Sequence, residues 1–481
     1  MSKRYFYLTT TLPYINAEPH IGFALEIIQA DVIARHKQLQ GYEIFFNTGT
    51  DEHGQKIYQK ALESGEDIKT YTDRLALKFK ELLKVLNISP EINFIRTTDD
   101  HHLKSAQAFW QLADEAGFIY KKNYTVKYCV GCELEKTDSE LEHDRCPIHP
   151  NKDLESITEE NYFFKFSALA PSLLKLYEER PDFVLPAFRL KEIKTFVEGG
   201  LQDFSISRVK EKMPWGIPVP NDQDQVMYVW FDALVNYVSA IGWPDDQAKF
   251  KQWWQESGGV MQFAGKDNLR QQSAMWQAML LAVGLPPSRQ IFIHGFINGP
   301  DGQKMSKSLG NGINPLDLVE EFGVEAVRYY FVRHINNFED SDFSIAMFKE
   351  IYNANLAKGL GNVVSRLMKM AETNLTKSVV VSEDIVTPDF DQALNNFDLN
   401  GAVNLIWIKL GKIDQKIAET EPFKLIKTNP ESARLIISEL VSDLYQIALM
   451  LRPIMPETAK KIMSLIKANQ MPAKPLFKNL N

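Results

Sequence analysis

The stretch Leu12-Pro13-Tyr14-Ile15-Asn16-Ala17-Glu18-Pro19-His20-Ile21-Gly22-Phe23 connects a buried-strand pattern at residues 4–11 to an apolar-periodic helix pattern at residues 20–40. Pro19 suits the first turn of a helix, where its missing N–H is not needed. A second strand pattern follows at residues 41–47. A strand, a helix and a strand in this order, with polar loops after the strands, predict a doubly wound α/β fold with a parallel sheet.

The composition is that of a globular protein with a sizeable core: of 481 residues, 44% are hydrophobic and 24% charged. No apolar stretch is long enough for a signal peptide or a membrane helix, so we expect a cytoplasmic protein without a membrane partner. The net charge is −8, and a nucleic-acid partner would therefore need a local basic face.

The patterns divide the chain into five parts. The α/β pattern is interrupted by a segment rich in Asp, Glu, Pro and Cys, and it resumes at residues 226–231 and 290–294. Helical patterns fill most of the remaining chain, which predicts a bundle. In chain order, we predict the first half of a Rossmann-type domain (1–117), an insertion (118–225), the second half of that domain (226–300), a segment with a basic loop (301–345) and a helical domain (346–481).

The basic loop contains Lys304-Met305-Ser306-Lys307-Ser308 between two turn-forming segments. Two ammonium groups on a loop suit a polyphosphate whose charge grows as a bond breaks. Short Lys/Ser runs of this kind are nevertheless more often solvated surface loops than binding sites.

The start of the first predicted helix is a second candidate phosphate site. His20 and Gly22 lie where free N–H groups and the helix dipole attract anions. Gly22 would let a ligand approach the backbone closely. A single histidine at a helix start, taken alone, favours an incidental role.

The cysteines have the spacing of a metal site. Cys129-x2-Cys132 and Cys146-x2-His149 present three thiolates and one imidazole in two knuckles, and they use every cysteine of the chain. This set predicts tetrahedral Zn²⁺ with a structural role, because four protein ligands leave no open position.

The turn at Pro19-His20-Ile21-Gly22 and the loop at Lys304–Ser308 together resemble the class I aminoacyl-tRNA synthetases, and most closely the methionyl-tRNA synthetase family. Further stretches that carry the resemblance follow in order at residues 48–54, 128–133, 146–150, 228–234, 265–267 and 293–296. The helical tail looks like the anticodon-binding domain of that family, and residues 301–345 look like its stem-contact region.

The resemblance implies ATP-dependent ligation of L-methionine to tRNA(Met) in two steps. The methionine carboxylate attacks the α-phosphorus of ATP, which gives methionyl-adenylate and pyrophosphate. The terminal ribose of the tRNA then takes the methionyl group and AMP is released. The catalytic residues implied are His20, Lys304 and Lys307, and Mg²⁺ is implied as the counter-ion of the ATP phosphates.

The binding positions of the family fall on three groups of residues in this sequence. The ATP-binding group is His20, Gly22, Asp267, His294, Gly295, Phe296, Lys304, Ser306 and Lys307. The methionine-binding group is Leu12, Tyr14, Asp51, Trp230, Ala233, Tyr237 and Gln272, with Asp51 on the α-ammonium group. The anticodon-binding group is Asn362, Arg366 and Phe423. Without the resemblance, most of these residues would be interpreted as core or as solvated surface.

The sequence departs from the family pattern at four positions. Phe23 replaces the second histidine of His-Ile-Gly-His and cannot donate a hydrogen bond to phosphate. Asn268 and Gln272 replace an apolar residue and a histidine, which predicts a more polar amino-acid pocket. Phe423 replaces a tryptophan, and it would have to stack on the anticodon base.

Two alternatives to a methionine enzyme are compatible with these residues. One is a class I synthetase with another amino-acid specificity, although residues 118–225 are too few for a large editing insertion. The other is a degenerate synthetase retained as a tRNA-binding protein, which the intact Lys304 and Lys307 oppose. Because the chain stops soon after the helical domain, we expect a monomer.

Overall fold

The computed structural model describes residues 3–132, 134–136, 141–303, 305, 312–382 and 388–480. The strands in these ranges are β1 (Arg4–Thr10), β2 (Tyr42–Thr50), β3 (Asn93–Arg96), β4 (Ile119–Cys129), β5 (Leu134–Lys136), β6 (Glu155–Phe164), β7 (Val184–Leu185), β8 (Phe204–Ser205), β9 (Ser207–Val209), β10 (Pro218–Val219), β11 (Asp222–Met227), β12 (Val260–Gly265), β13 (Gln290–His294), β14 (Ile297–Asn298) and β15 (Ser341–Asp342).

The α-helices are α1 (Ile21–Leu39), α2 (Gln55–Ser64), α3 (Ile68–Val85), α4 (Asp100–Glu115), α5 (Ala170–Glu179), α6 (Ala187–Glu198), α7 (Val229–Leu234), α8 (Asn236–Ser239), α9 (Gln247–Phe250), α10 (Trp276–Ala282), α11 (Pro315–Phe322), α12 (Val324–Arg333), α13 (Ile345–Ile351), α14 (Asn362–Asn374), α15 (Pro388–Asn395), α16 (Leu399–Thr420), α17 (Pro422–Leu425), α18 (Pro430–Leu451) and α19 (Pro456–Ala468). Among the described residues, no helix combines the length and the apolar character that crossing a membrane requires.

The first of two compact units comprises Met1–Glu18, Glu43–Glu81 and Glu91–Ile293. Its central sheet has six strands in the order β3-β2-β1-β12-β13-β7, and the pairs β2–β3, β1–β12 and β13–β7 are parallel. The order in which the chain visits the strands reverses between β1 and β12, as in doubly wound folds, so the predicted fold class is confirmed.

The reversal point places predicted site residues at one edge of the sheet. Thr10 is paired with Phe263 across β1 and β12, and the Thr11 N–H donates to the Phe263 carbonyl at 3.1 Å. The loops that leave the carboxyl ends of these two strands carry Leu12, Tyr14 and Asp267. Ligands of doubly wound sheets bind at this kind of crevice.

The α/β pattern was expected to resume at residues 226–231, but this run adds no strand to the parallel sheet. Val226 and Met227 end β11 of a three-stranded sheet in which β11 pairs antiparallel with β9 and β10, and helix α7 begins at Val229. After residue 226, the next strand of the parallel sheet is β12. A short apolar run cannot be assigned to a strand or to a helix from periodicity alone, which explains the error.

Aromatic packing fixes α7 within the first unit. The ring of Phe231 lies 5.2 Å from that of Trp110 and 6.1 Å from that of Phe109, both on α4. Phe109 in turn contacts Trp276 at the start of α10, with ring centroids 5.7 Å apart. The side chains of α7 that do not face this core are therefore held at defined positions.

The second unit comprises Pro19–Tyr42, Leu82–Pro90 and His294–Asn481. It contains α1 and the helices from α11 to α19, so the helical character predicted for residues 346–481 is confirmed. A short parallel pair, β14 with β15, follows the end of β13.

Helix α1 is buried on nearly every side, including polar positions such as Glu26 and Asp31. The fully buried Arg328 donates from Nη2 to Asp31 Oδ2 at 2.7 Å, and Arg35 Nε donates to the same oxygen at 2.7 Å. Burial raises the pKa of Asp31, but the two guanidinium groups outweigh it and hold the pKa below the usual Asp value. Arg328 also donates to four backbone carbonyl groups, those of Leu86, Asn87, Pro453 and Ile454.

Replacing Arg328 should destabilise the second unit strongly. Arg328→Met would leave the Asp31 carboxylate buried without its main partner, and such a loss costs about 3–5 kcal/mol. The free energy of unfolding in urea at pH 7 measures this loss. The matched control is Arg366→Met, which breaks a half-exposed pair with Asp414 and should cost less than about 1 kcal/mol.

The same experiment has a definite pH dependence. Because the folded-state pKa of Asp31 is depressed, its stabilisation is complete above the unfolded-state pKa of about 3.9 and is lost as the pH falls through the folded-state value. The difference between wild type and Arg328→Met should therefore shrink on acidification. Equal losses for Arg328→Met and Arg366→Met at pH 7 would contradict the assignment.

Candidate functional site

Tyr14 and Asp51, which are both predicted to bind the substrate methionine, are neighbours in the first unit. They form a parallel bridge in which the Ile15 N–H donates to the Asp51 carbonyl at 3.2 Å and the Asp51 N–H donates to the Pro13 carbonyl at 3.0 Å. Asp51 is only 5% exposed. The loop after β1 and the segment after β2 thus present an aromatic side chain and a buried carboxylate side by side.

The segment that follows Asp51 is held by several buried contacts. Glu52 accepts both Arg96 Nε and Arg96 Nη2, at 2.7 and 2.8 Å, and the Trp215 indole donates to the Glu52 carbonyl at 2.6 Å. Gly54 has φ of 118°, and a Cβ there would lie 2.6 Å from the Tyr14 hydroxyl. Only glycine fits this turn, because a side chain would be strained and would clash with Tyr14.

Trp230, Ala233 and Tyr237 project from α7 and α8. Ala233 and Tyr237 are buried, and Trp230 is partly exposed. The Tyr237 ring lies 5.7 Å from the Trp276 ring, and the Tyr237 carbonyl accepts the Tyr7 hydroxyl at 2.8 Å. Aromatic and small apolar side chains of this kind suit a thioether side chain.

A buried carboxylate connects α7 to the segment after β2. Asp232 Oδ2 lies 2.6 Å from His53 Nδ1, and Asp232 Oδ1 lies 2.8 Å from His102 Nε2. The other ring nitrogen of His102 lies 2.8 Å from the Ser239 hydroxyl. Burial opposes ionisation, yet the two imidazole groups hold the pKa of Asp232 below its usual value.

Gln272 belongs to a buried amide network. Its side-chain oxygen accepts Gln262 Nε2 at 2.8 Å, and its backbone carbonyl accepts Gln277 Nε2 at 2.8 Å. Ser288 closes the network by donating to Gln262 Oε1 at 2.8 Å. The amide at position 272 is thereby fixed in orientation, and Trp276 lies one helical turn further along the chain.

Asp267 lies at the end of β12, in a short 3₁₀ turn, and is exposed. The neighbouring Asn268 is partly exposed and donates from Nδ2 to Asp267 Oδ1 at 3.3 Å. A carboxylate at this edge of a doubly wound sheet is well placed to accept ribose hydroxyl groups.

The remaining described ATP-site residues lie in the second unit, and His20 is the cap of α1. Its Nδ1 accepts the Gly22 N–H at 3.1 Å, and a Cβ on Gly22 would lie 2.9 Å from the His20 ring. Glycine at position 22 therefore allows the imidazole to cap the helix. Phe23 is only 6% exposed, so the residue that replaces the second histidine is part of the interior.

His294, Gly295 and Phe296 follow β13 in the same unit. His294 Nε2 lies 2.9 Å from Glu26 Oε2 on α1, and its Nδ1 lies 2.7 Å from the Gly295 carbonyl. The Phe296 N–H donates to Asp340 Oδ1 at 3.0 Å. Lys304, Ser306 and Lys307 lie outside the described residues.

The four predicted metal ligands come together. The ligand atoms of Cys129, Cys132, Cys146 and His149 all lie within 4.8 Å of one another. Cys132 Sγ lies 3.4 Å from Cys146 Sγ and 3.2 Å from His149 Nδ1. Zn–S bonds of about 2.3 Å in a tetrahedron place sulfur atoms about 3.8 Å apart, so this donor set fits Zn²⁺ with little movement.

The predicted anticodon residues are exposed on the helical part of the second unit. Asn362 and Arg366 lie on the first turns of α14, and Arg366 Nη1 donates to Asp414 Oδ1 on α16 at 2.7 Å. Phe423 on α17 is 47% exposed, with the Lys424 ammonium group 5.9 Å from the centre of its ring. An exposed aromatic ring next to an ammonium group is suited to stacking on a base.

Sequence reasoning missed the residues that support the amino-acid site, chiefly His53, His102, Asp232 and Trp215. Asp232 lies 179 residues from His53 and 130 from His102, so no spacing rule could pair them. His53 and Asp232 do lie inside two stretches that carry the family resemblance. Their position in these stretches is the sequence signal that could have identified them.

Comparison with known proteins agrees with this geometry. The family model described as "tRNA synthetases class I (M)" matches residues 6–157 and 137–368. The methionine–tRNA ligase of Thermotoga maritima is 38% identical over 98% of this chain and 77% of its own length. That of Thermosynechococcus vestitus is 47% identical over 76% of this chain and 69% of its own length.

A solved structure is similar over nearly the whole chain. It is a Mycobacterium tuberculosis methionyl-tRNA synthetase in complex with methionyl-adenylate, with 35% identity, a TM-score of 0.88, and coverage of 96% of this chain and 94% of that one. The identity and coverage of these matches establish that the chain belongs to the methionyl-tRNA synthetase family of class I aminoacyl-tRNA synthetases.

Proposed function

We propose that this chain activates L-methionine with ATP and transfers the methionyl group to tRNA(Met). The observation that carries the proposal is the position of Asp51 beside Tyr14 at the edge of the sheet where β1 and β12 end. A nearly buried carboxylate next to an aromatic wall is suited to an amino acid whose ammonium group must be paired and whose side chain is apolar.

Different residues have different roles in the first step, the formation of methionyl-adenylate. Asp51 binds the substrate ammonium group, while Trp230, Ala233 and Tyr237 contact its side chain and Asp267 accepts the ribose hydroxyl groups. ATP enters as its Mg²⁺ complex. His20, Lys304 and Lys307 stabilise the charge that develops on the departing pyrophosphate, and such reactions depend mainly on positioning and electrostatics.

Replacing either lysine should slow amino-acid activation severely. Because Phe23 offers no donor, Lys304 and Lys307 carry a larger share of the pyrophosphate charge than in a relative with both histidines. Lys304→Ala or Lys307→Ala should cost about 3–4 kcal/mol of transition-state stabilisation. Methionine-dependent ATP–pyrophosphate exchange measures this cost.

Lys266→Ala, which removes an ammonium group next to Asp267, is a matched control and should cost much less. Exchange that is absent from the wild-type chain would leave a degenerate tRNA-binding protein as the better function. Exchange supported by another amino acid better than by methionine would indicate altered specificity.

We also propose that Cys129, Cys132, Cys146 and His149 hold one structural Zn²⁺. Bound zinc would cross-link the segment between β4 and β6, which offers few large apolar side chains for a core of its own. Purified protein prepared without chelator should contain one zinc per chain by elemental analysis. His149→Ala should lose the metal and become more sensitive to proteolysis in this segment.

His143→Ala is the control, because His143 is an exposed histidine of the same segment outside the ligand set. It should retain the zinc. Wild-type protein without zinc, or equal zinc content in both variants, would refute the assignment.

We propose that Asn362, Arg366 and Phe423 contact the anticodon. Phe423→Ala should raise the KM for tRNA(Met) by a factor that corresponds to about 1–3 kcal/mol, because a stacking surface is lost. Pyrophosphate exchange, which needs no tRNA, should be unchanged. Ile408→Ala removes a comparably exposed apolar side chain from α16 and should not change that KM.

A cytoplasmic location and a monomeric state remain predictions.

A further inference from the structure

Asp232 is a buried residue of the first unit that has no assigned role in the proposed reaction. It lies on α7 between Trp230 and Ala233, which we assign to the methionine side chain. Its carboxylate meets His53, which lies two residues after Asp51, the residue assigned to the substrate ammonium group. The distance from Asp232 Oδ2 to His53 Nδ1 is 2.6 Å.

We propose that Asp232 is a positioning residue that sets the separation between the ammonium-binding carboxylate and the side-chain pocket, and thereby the length of amino acid that the site accepts. The inference rests on the proposed function, because it concerns how that same site selects its substrate. Asp232 itself is fully buried and need not touch the substrate.

The link between α7 and the segment after β2 is strong because Asp232 makes short hydrogen bonds to both His53 and His102. His102 Nε2 lies 2.8 Å from the second carboxylate oxygen, and the Ser239 hydroxyl lies 2.8 Å from the far side of the His102 ring. A buried carboxylate is tolerated only when it is paired in this way. Moving His53 away from α7 would break a charge-assisted hydrogen bond in a dry environment.

The segment that carries Asp51 is also held by Trp215. The Trp215 indole donates to the Glu52 carbonyl at 2.6 Å, the Gly54 N–H donates to the Trp215 carbonyl at 3.1 Å, and the Trp215 ring lies 5.4 Å from the His53 ring. Both Trp215 and Asp232 therefore hold the segment in place. Loss of the Asp232 contact would remove the link to α7 and would leave the distance between Asp51 and the side chains of α7 less well defined.

If Asp232 had a purely structural role, substitutions around it would have different effects. Phe231 already anchors α7 through the rings of Phe109 and Trp110, so the helix does not depend on Asp232 alone for its place in the core. If Asp232 only stabilises the fold, its two histidine partners should be equivalent. If it positions the substrate site, only the partner on the Asp51 side should affect amino-acid selection.

The test compares pyrophosphate exchange with methionine and with ethionine, whose side chain is one methylene longer. Asp232→Asn and His53→Ala should raise the KM for methionine about tenfold, because small misplacements of a bound reactant cost up to about 10²-fold. The preference for methionine over ethionine in kcat/KM should fall, and the KM for ATP should stay within about twofold. His53→Asn, which retains an N–H donor at the Nδ1 position, should restore much of the preference.

The matched control is His102→Gln, which retains an N–H donor at the Nε2 position on the side away from Asp51. It should lower thermal stability at most, with the methionine-to-ethionine preference unchanged. Unchanged KM and preference in His53→Ala would overturn the inference, even if Asp232→Asn does not fold. Absence of exchange in the wild-type chain would instead overturn the proposed function, and this inference with it.

Discussion

The buried Arg328 guanidinium group is the contact on which the second unit depends most. A charged group without access to water must have its N–H groups paired, and Arg328 does this with Asp31 and with carbonyl groups from two other segments. Helix α1 is thereby tied to the turn after α3 and to the connection between α18 and α19. Because His20 caps α1 and Glu26 on α1 contacts His294, the same helix fixes both predicted ATP-contact regions of this unit.

Two of the four departures from the family pattern are accommodated by interior contacts. Phe23, where a second histidine is usual, is buried on α1, and Gln272 is paired with Gln262 in a closed amide network. The amino-acid site also keeps a nearly buried Asp51 next to Tyr14, and the turn at Gly54 leaves room for the Tyr14 hydroxyl group. These features favour a working amino-acid site with altered details over a remnant kept for tRNA binding.

The sequence was sufficient for the features that depend on local spacing. The β1–α1–β2 order, the Cys129–His149 ligand set and the helical tail follow from periodicity or short motifs, which are physical properties of neighbouring residues. It could not reveal that α1 is buried all round, because Asp31 and Arg328 lie 297 residues apart and each alone resembles a surface charge. The Asp232 link was hidden for the same reason, and the 226–231 run was ambiguous because strands and buried helices share apolar composition.

We expect a chain with one histidine in its phosphate-binding turn still to form an aminoacyl-adenylate. The most direct measurement is mass spectrometry of the acid-quenched enzyme after incubation with methionine, ATP and inorganic pyrophosphatase, without tRNA. We predict methionyl-adenylate at a level approaching one equivalent per chain. Unconsumed ATP and no adenylate, from protein that still binds tRNA(Met), would contradict it.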